Sequence, residues 1–208
     1  MNVDGLIGQP MRILVVFCHP SHDSFNAHLL VRATESLNSA GHDCLVRDLY
    51  ADRFDPVVTL DEWTKYEQAV RPELSVKSYI SDLSWCEGIL LIFPTWWYGM
   101  PAMLKGYFDR VWIPGAAFEF AADRTIDTRA LRHITRFVVV TTYGSPWWWI
   151  KIWLRDPVRM AIQKGLRRLF SPACRVEWFA FYNMDKSSQS ARVKFLNRVA
   201  DGMKVFDA

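Results

Sequence analysis

Residues 88–112 read GILLIFPTWWYGMPAMLKGYFDRVW, and two different periodicities meet inside that stretch. Gly88 to Phe93 is an unbroken apolar run, the pattern of a strand buried on both faces, as parallel sheets require. From Pro101, which suits the first residue of a helix, Met103, Leu104, Tyr107, Phe108, Val111 and Trp112 fall on one helical stripe. The same alternation recurs on either side. Towards the N-terminus, Arg12 to Cys18 (RILVVFC) is another doubly buried strand, followed by a helix with Phe25, Leu29, Ala33 and Leu37 at every fourth position and Gly41 as its stop. Asp43 to Leu49 then forms a strand, residues 50–72 are acidic and irregular, and Val76 to Trp85 is helical. Towards the C-terminus, Pro114 to Asp127 is a long connection and Phe137 to Thr142 (FVVVTT) is a strand. Residues 147–169 make two short helices broken near Asp156 and Pro157, Arg175 to Tyr182 is a fifth strand, and Lys186 to Phe206 is a closing helix. Strands alternating with helices specify an α/β, doubly wound, five-stranded parallel sheet with right-handed crossovers. Such a sheet binds its ligand beyond the C-terminal ends of its strands.

Composition narrows the class. With 208 residues, 50% of them hydrophobic and 23% charged, the chain is expected to be one domain over 1–208 with its core in 12–206, and disordered, collagenous and disulfide-scaffold classes are excluded. Cys18, Cys44, Cys86 and Cys174 have no paired spacing, so no zinc or CxxC chemistry is expected, and free cysteines suit a reducing cytoplasm. Met1 to Pro10 lacks a basic region followed by an apolar one, so no secretory signal is read and the mature protein is expected to start near Met1. The uncharged run Gly88 to Leu104 is divided by Pro94, Gly99 and Pro101, which argues against a transmembrane span. Residues 1–128 hold 10 Lys and Arg against 17 Asp and Glu, while 129–208 hold 15 against 5. A split of that kind fits an anionic cofactor or partner, a nucleic acid or a membrane surface. No nucleic-acid motif accompanies it.

Chemistry is therefore sought where strands one, three and four end. His19-Pro20-Ser21-His22-Asp23-Ser24-Phe25-Asn26 has neither a GxGxxG nor a Walker loop. Two readings stand: hydroxyls, an imidazole and helix N-terminal amides that take a phosphate, or a simple cap by Asp23 or Ser24. Pro94-Thr95-Trp96-Trp97-Tyr98-Gly99-Met100-Pro101 puts three consecutive aromatics in the crevice, either to stack on a flat heteroaromatic ring or as a core cluster. Thr141-Thr142-Tyr143-Gly144-Ser145-Pro146 is either an ordinary turn or a set of amides for a ligand carbonyl or developing anion.

HPSHDSFN, FPTWWYGMPAMLKGYFDRVWIPGAAF and TTYGS, in that order, resemble the flavodoxin-like NAD(P)H:quinone oxidoreductases, the family of DT-diaphorase, modulator of drug activity B and the potassium-efflux ancillary flavoproteins. The resemblance covers most of residues 12–182 and implies a flavodoxin-like sheet of strand order 2-1-3-4-5. It further implies a homodimer and a flavin, FAD or else FMN, with NAD(P)H as co-substrate. His19, Ser24, Phe25 and Asn26 fall where the family holds the flavin phosphate. Pro94, Thr95, Trp96, Trp97 and Tyr98 match the loop along the isoalloxazine, and Thr142, Tyr143, Gly144 and Ser145 match the loop at its pyrimidine edge.

Two departures stand out. Tyr143 occupies a position where the family usually has Gly. The Tyr and His that DT-diaphorase sets beside its substrate are replaced by Trp147-Trp148-Trp149-Ile150-Lys151-Ile152-Trp153-Leu154-Arg155. Tyr98 and Tyr143 are thus the candidate catalytic side chains, with Lys151 and Arg155 as alternative relay groups and no metal ligand. The implied activity is ping-pong transfer of two electrons from NAD(P)H to a quinone-like acceptor. The alternatives are a regulatory subunit of a membrane transporter and a nitro- or azo-reductase. Lys151, Arg155, Arg159, Lys164, Arg167 and Arg168 read as a solvated basic face, as a phosphate or pyrophosphate recognition site, or as a membrane contact.

Overall fold

The structure is a computed structural model, and it describes residues 9–67, 74–120, 126–127 and 130–207. Five strands, β1 (Arg12–Phe17), β2 (Asp43–Asp48), β3 (Gly88–Pro94), β6 (Arg136–Thr142) and β7 (Arg175–Phe181), form one sheet in the order β2-β1-β3-β6-β7, every pair parallel. Two further short strands, β4 (Glu119–Phe120) and β5 (Ile126–Asp127), pair antiparallel outside it. Counted over all strands, the order is 2-1-3-6-7 rather than the anticipated 2-1-3-4-5. The added ribbon lies in what reads from sequence as a long connection, Pro114 to Asp127.

Side-chain alternation explains the layers. Ile89, Leu91 and Phe93 point to one face of the sheet and pack with α3 (Lys77–Trp85) and α4 (Ala102–Val111), whereas Leu90 and Ile92 pack with α1 (Phe25–Ser39) and α6 (Gln189–Gly202). Every residue of β3 is buried, which accounts for its lack of polar alternation. Truncating any one of these leucines to alanine removes about 2–5 kcal/mol by lost transfer energy and cavity formation.

Local chemistry sets the element ends. Ser24 caps α1, its Oγ accepting from the Ala27 amide at 3.1 Å. At the other end the His42 amide donates to the Leu37 carbonyl and Gly41, at φ 88°, to that of Asn38, a Schellman stop that needs a left-handed residue. The acidic stretch read as irregular holds α2 (Leu60–Glu67). Thr59 Oγ1 accepts from the Glu62 amide at 3.2 Å while Glu62 reaches back to the Thr59 amide at 2.8 Å, a capping box. Pro101 is the residue before α4 rather than its first, and Ala102 opens the helix. The 147–169 segment is broken at Asp156 and Pro157, but its pieces are mainly wider π-helical turns, Trp149–Trp153 and Met160–Leu166, flanking α5 (Pro157–Arg159). The expectations for residues 1–8, and for 68–72 and 121–125 within the two connections, lie outside the described residues. No helix among the described residues is long and apolar enough to cross a membrane.

Candidate functional site

β1, β3 and β6 are neighbours, and Phe17 lies opposite Ile92 as Pro94 lies opposite Thr142. Their following loops therefore emerge side by side at the C-terminal edge of the sheet. Hydrogen bonds tie them together: the Thr95 amide donates to the Thr142 carbonyl at 2.8 Å, Thr95 Oγ1 and Thr141 Oγ1 are 3.0 Å apart, and Asn26 Nδ2 donates to Thr142 Oγ1 at 3.1 Å. His19 and Trp96 face each other with ring centroids 6.2 Å apart.

The first loop folds on itself. His19 Nδ1 lies 3.0 Å from the Ser21 amide nitrogen, and the Asp23 amide donates to Ser21 Oγ at 3.2 Å. Burial holds the His19 imidazole below its ordinary pKa, opposed in part by the Ser21 carbonyl. The first-turn amides of Phe25 and Asn26 have no acceptor within their own helix, the usual condition of an anion-binding helix start. The side chains of these two residues are used elsewhere. Phe25 packs against Phe181 and Phe195, and Asn26 is buried against Thr142 with its Oδ1 unpaired among the described residues. Ser24 caps the helix, as one of the two readings of this loop has it.

The second loop is a tight reversal. Trp96 and Gly99 exchange both amide hydrogen bonds, at 3.1 and 2.9 Å, and the two residues between them are left-handed, Trp97 at φ 49° and Tyr98 at φ 60°. That is the backbone of a hairpin turn normally filled by Asn-Gly. Left-handed bulky residues cost about 1–2 kcal/mol each, and strain of this kind gathers at functional sites. Its effect here is to leave Trp97 96% exposed at the rim, beside Trp96 and Tyr98. Pro94 is buried at the strand end.

The third loop departs from the sequence expectation at Tyr143. Its amide is spent on the Phe181 carbonyl at 2.8 Å, and its hydroxyl, 2.7 Å from Asp156 Oδ1, is buried. Tyr143 therefore lines the crevice without offering a free amide or hydroxyl to it, and the structure does not support it as a catalytic side chain. Burial, and then the Asp156 charge, push its phenol far above its ordinary pKa. A Cβ at Gly144 would lie 2.8 Å from Oδ2 of the exposed Asp185 side chain, which would have to swing aside. Lys151 is also committed, its Nζ 2.6 Å from Asp156 Oδ2, so it is a lock on Asp156 and not a relay. Arg155 is exposed in a separate cleft.

Thr95, Trp97, Tyr98, Tyr143, Gly144, Ser145 and Ile150 enclose a crevice of about 230 Å³. The backbone amides of Trp97, Tyr98, Gly144 and Ser145 have no partner among the described residues. Four free donors beside exposed aromatic rings suit a flat ligand edged with acceptors, as a flavin ring is, and the helix start below suits its phosphate. The residues present thus fit such a group. Among the described residues no cluster of His, Cys, Asp or Glu could hold a metal ion. Sequence reading missed Asp156, whose signal was an Asp immediately before a helix-opening Pro.

Comparison with known proteins agrees with this architecture. The chain is 37% identical over 113 residues to the uncharacterized NAD(P)H oxidoreductase YcaK of Escherichia coli (strain K12), covering 53% of this chain and 57% of that one. The chain spans about half the length of the first curated relatives it matches. Among solved structures, the NAD(P)H:quinone oxidoreductase from Methanothermobacter marburgensis superposes with a TM-score of 0.82 at 23% identity, over 96% of this chain and 98% of that one. An FMN-dependent NADH-azoreductase from Bacillus anthracis, solved in complex with FMN, superposes with a TM-score of 0.75 at 13% identity, over 95% of this chain and 100% of that one. A family model described as flavodoxin-like fold matches residues 11–200, and the chain belongs to that family.

Proposed function

We propose that this chain is a flavin-dependent NAD(P)H oxidoreductase that delivers two electrons to a flat, quinone-like acceptor. The observation that carries this is the crevice itself: four unpaired backbone amides and the Trp97 and Tyr98 rings line one cavity at the carboxyl edge of a parallel sheet. His19 and the Phe25 and Asn26 amides would hold the phosphate of the flavin, and the amides of Gly144 and Ser145 its pyrimidine edge. The bound flavin would accept and donate a hydride. The protein supplies position and charge. The Gly144 and Ser145 amides stabilise negative charge at the ring edge without reorganising. The rings of Trp97 and Tyr98, at the edge of the crevice, would shield a bound flat ring from water. The Tyr98 hydroxyl, unpaired among the described residues, is one side-chain donor available to an acceptor oxygen. Nicotinamide and acceptor taking turns at one bound flavin would give the ping-pong order that the resemblance implies.

The names of the relatives support the nicotinamide and quinone assignment. The basic residues from Lys151 onward line their own cleft and give no reason to prefer FAD over FMN. The homodimer implied by the resemblance and a cytoplasmic setting complete the reading, the latter supported by four free cysteines. The test is the visible spectrum of the purified protein, with chromatography of the released flavin, before and after NADPH under anaerobic conditions. Bound flavin that bleaches on mixing is the expected result and identifies FAD or FMN. Flavin that stays oxidised supports the regulatory alternative, and a protein that takes up neither flavin overturns the assignment.

A further inference from the structure

The segment after β6 is the least explained surface of the molecule. Trp147, Trp148, Ile152, Trp153 and Met160 are each more than 40% exposed. Interleaved with them, Lys151, Arg155, Arg159, Lys164, Arg167 and Arg168 line a cleft of about 590 Å³ whose lining also includes Met160. The one carboxylate there, Asp156, is buried and already taken by Lys151 and Tyr143. Arg155, Lys164 and Arg168 have no carboxylate or hydrogen-bond partner among the described residues. Exposed aromatics beside unneutralised cations form a surface complementary to one that is anionic outside and apolar beneath.

We propose that residues 147–168 dock the protein on an anionic phospholipid surface. Tryptophan rings settle at the headgroup level, and lysine and arginine are drawn to anionic lipid. A second copy of this chain fits less well, because a two-fold contact centred here would set the same cations against one another. Docking has a consequence for the site. Ser145 and Ile150 both line the crevice, and Ser145 lies two residues before Trp147, so the crevice adjoins the docked segment. The acceptor class that follows is a quinone dissolved in the bilayer, an extension that rests on the oxidoreductase reading above.

The experiment uses the purified full chain with its bound flavin and vesicles of phosphatidylcholine, alone or mixed with phosphatidylglycerol. Co-sedimentation should favour the anionic vesicles by about tenfold or more and should collapse at raised salt. Lys164→Glu with Arg168→Glu should abolish it, and Trp153→Ser should weaken it, with the thermal midpoint unchanged. The charge-reversed protein should keep its turnover of a water-soluble quinone and lose that of a long-chain quinone held in the anionic vesicles. Equal sedimentation with both vesicle types, or binding unaffected by charge reversal, overturns the proposal. So does light scattering that shows the charge reversal splitting a dimer, which would make the patch a self-interface. Selective vesicle binding without turnover of either quinone sustains the docking and removes the oxidoreductase reading instead.

Discussion

Among the described residues two turns hold consecutive non-glycine residues in the left-handed region, Trp97-Tyr98 and Arg155-Asp156, and they lie in opposite environments. In the first, the strained pair stands open to solvent, held only by the paired amides of Trp96 and Gly99 at its base. In the second, the strain drives Asp156 inward, where it caps α5 and meets the Tyr143 hydroxyl at 2.7 Å and Lys151 Nζ at 2.6 Å. The same backbone cost is offset in two ways. In the open turn neither side chain makes a hydrogen bond or ring contact among the described residues, as expected of a conformation kept for a ligand. The closed turn is repaid locally by charge-assisted hydrogen bonds, which is the mark of a structural lock.

The largest expected effect lies in the lock. Asp156→Ala leaves a buried phenol and a partly buried ammonium without an acceptor, and unfolding in urea should show a loss of about 2–4 kcal/mol. A midpoint within experimental error of the parent would mean that the 147–169 segment holds its place by apolar packing alone. Asp156→Asn, which keeps an acceptor for Tyr143, should lose roughly half as much.

The open turn should respond with the opposite sign. Replacing Trp97 and Tyr98 by Asn-Gly gives the turn residues suited to left-handed conformations, so stability should rise by about 1 kcal/mol. Flavin affinity should fall about tenfold or more with the lost ring contacts. Isothermal titration of the flavin-free protein checks the second outcome and denaturant unfolding the first. Loss of stability on this exchange would place Trp97 and Tyr98 in the structural class with Asp156 and remove the contrast.

The contrast also shows what was legible in the amino-acid order. Strand signals were strong because Ile89 to Phe93 and Val138 to Val140 are buried on both faces and carry no polar position to confuse the period. The aromatic loop was legible as a candidate site because Trp-Trp-Tyr falls between Pro and Gly where a strand gives way to a helix. Helix α2 was overlooked because its acidic face hid the Thr59 and Glu62 capping box. The role of Tyr143 could not be read, since its partner Asp156 lies thirteen positions on and reaches it only through a π-helical turn and a left-handed pair. Long-range pairing of two polar side chains leaves no period in the sequence.

The effect of pH is the most specific. Tyr143 is buried beside a carboxylate, so its folded pKa is raised above the ordinary phenol value of 10.0. Above that pH the unfolded chain releases this proton and the folded chain keeps it, so stability present below pH 10 is lost as pH rises. One such group contributes a slope of about 1.4 kcal/mol per pH unit. Tyr79 and Tyr182, each pushed up to about 12 by burial, contribute the same sign, so the parent slope is a sum. Tyr143→Phe should lower that slope by about one proton's share while costing about 1–2 kcal/mol at neutral pH from the lost bond to Asp156. If Tyr143→Phe keeps the parent slope, the Tyr143 hydroxyl is not locked to Asp156, and the division between an open and a closed turn fails at its best-defined contact.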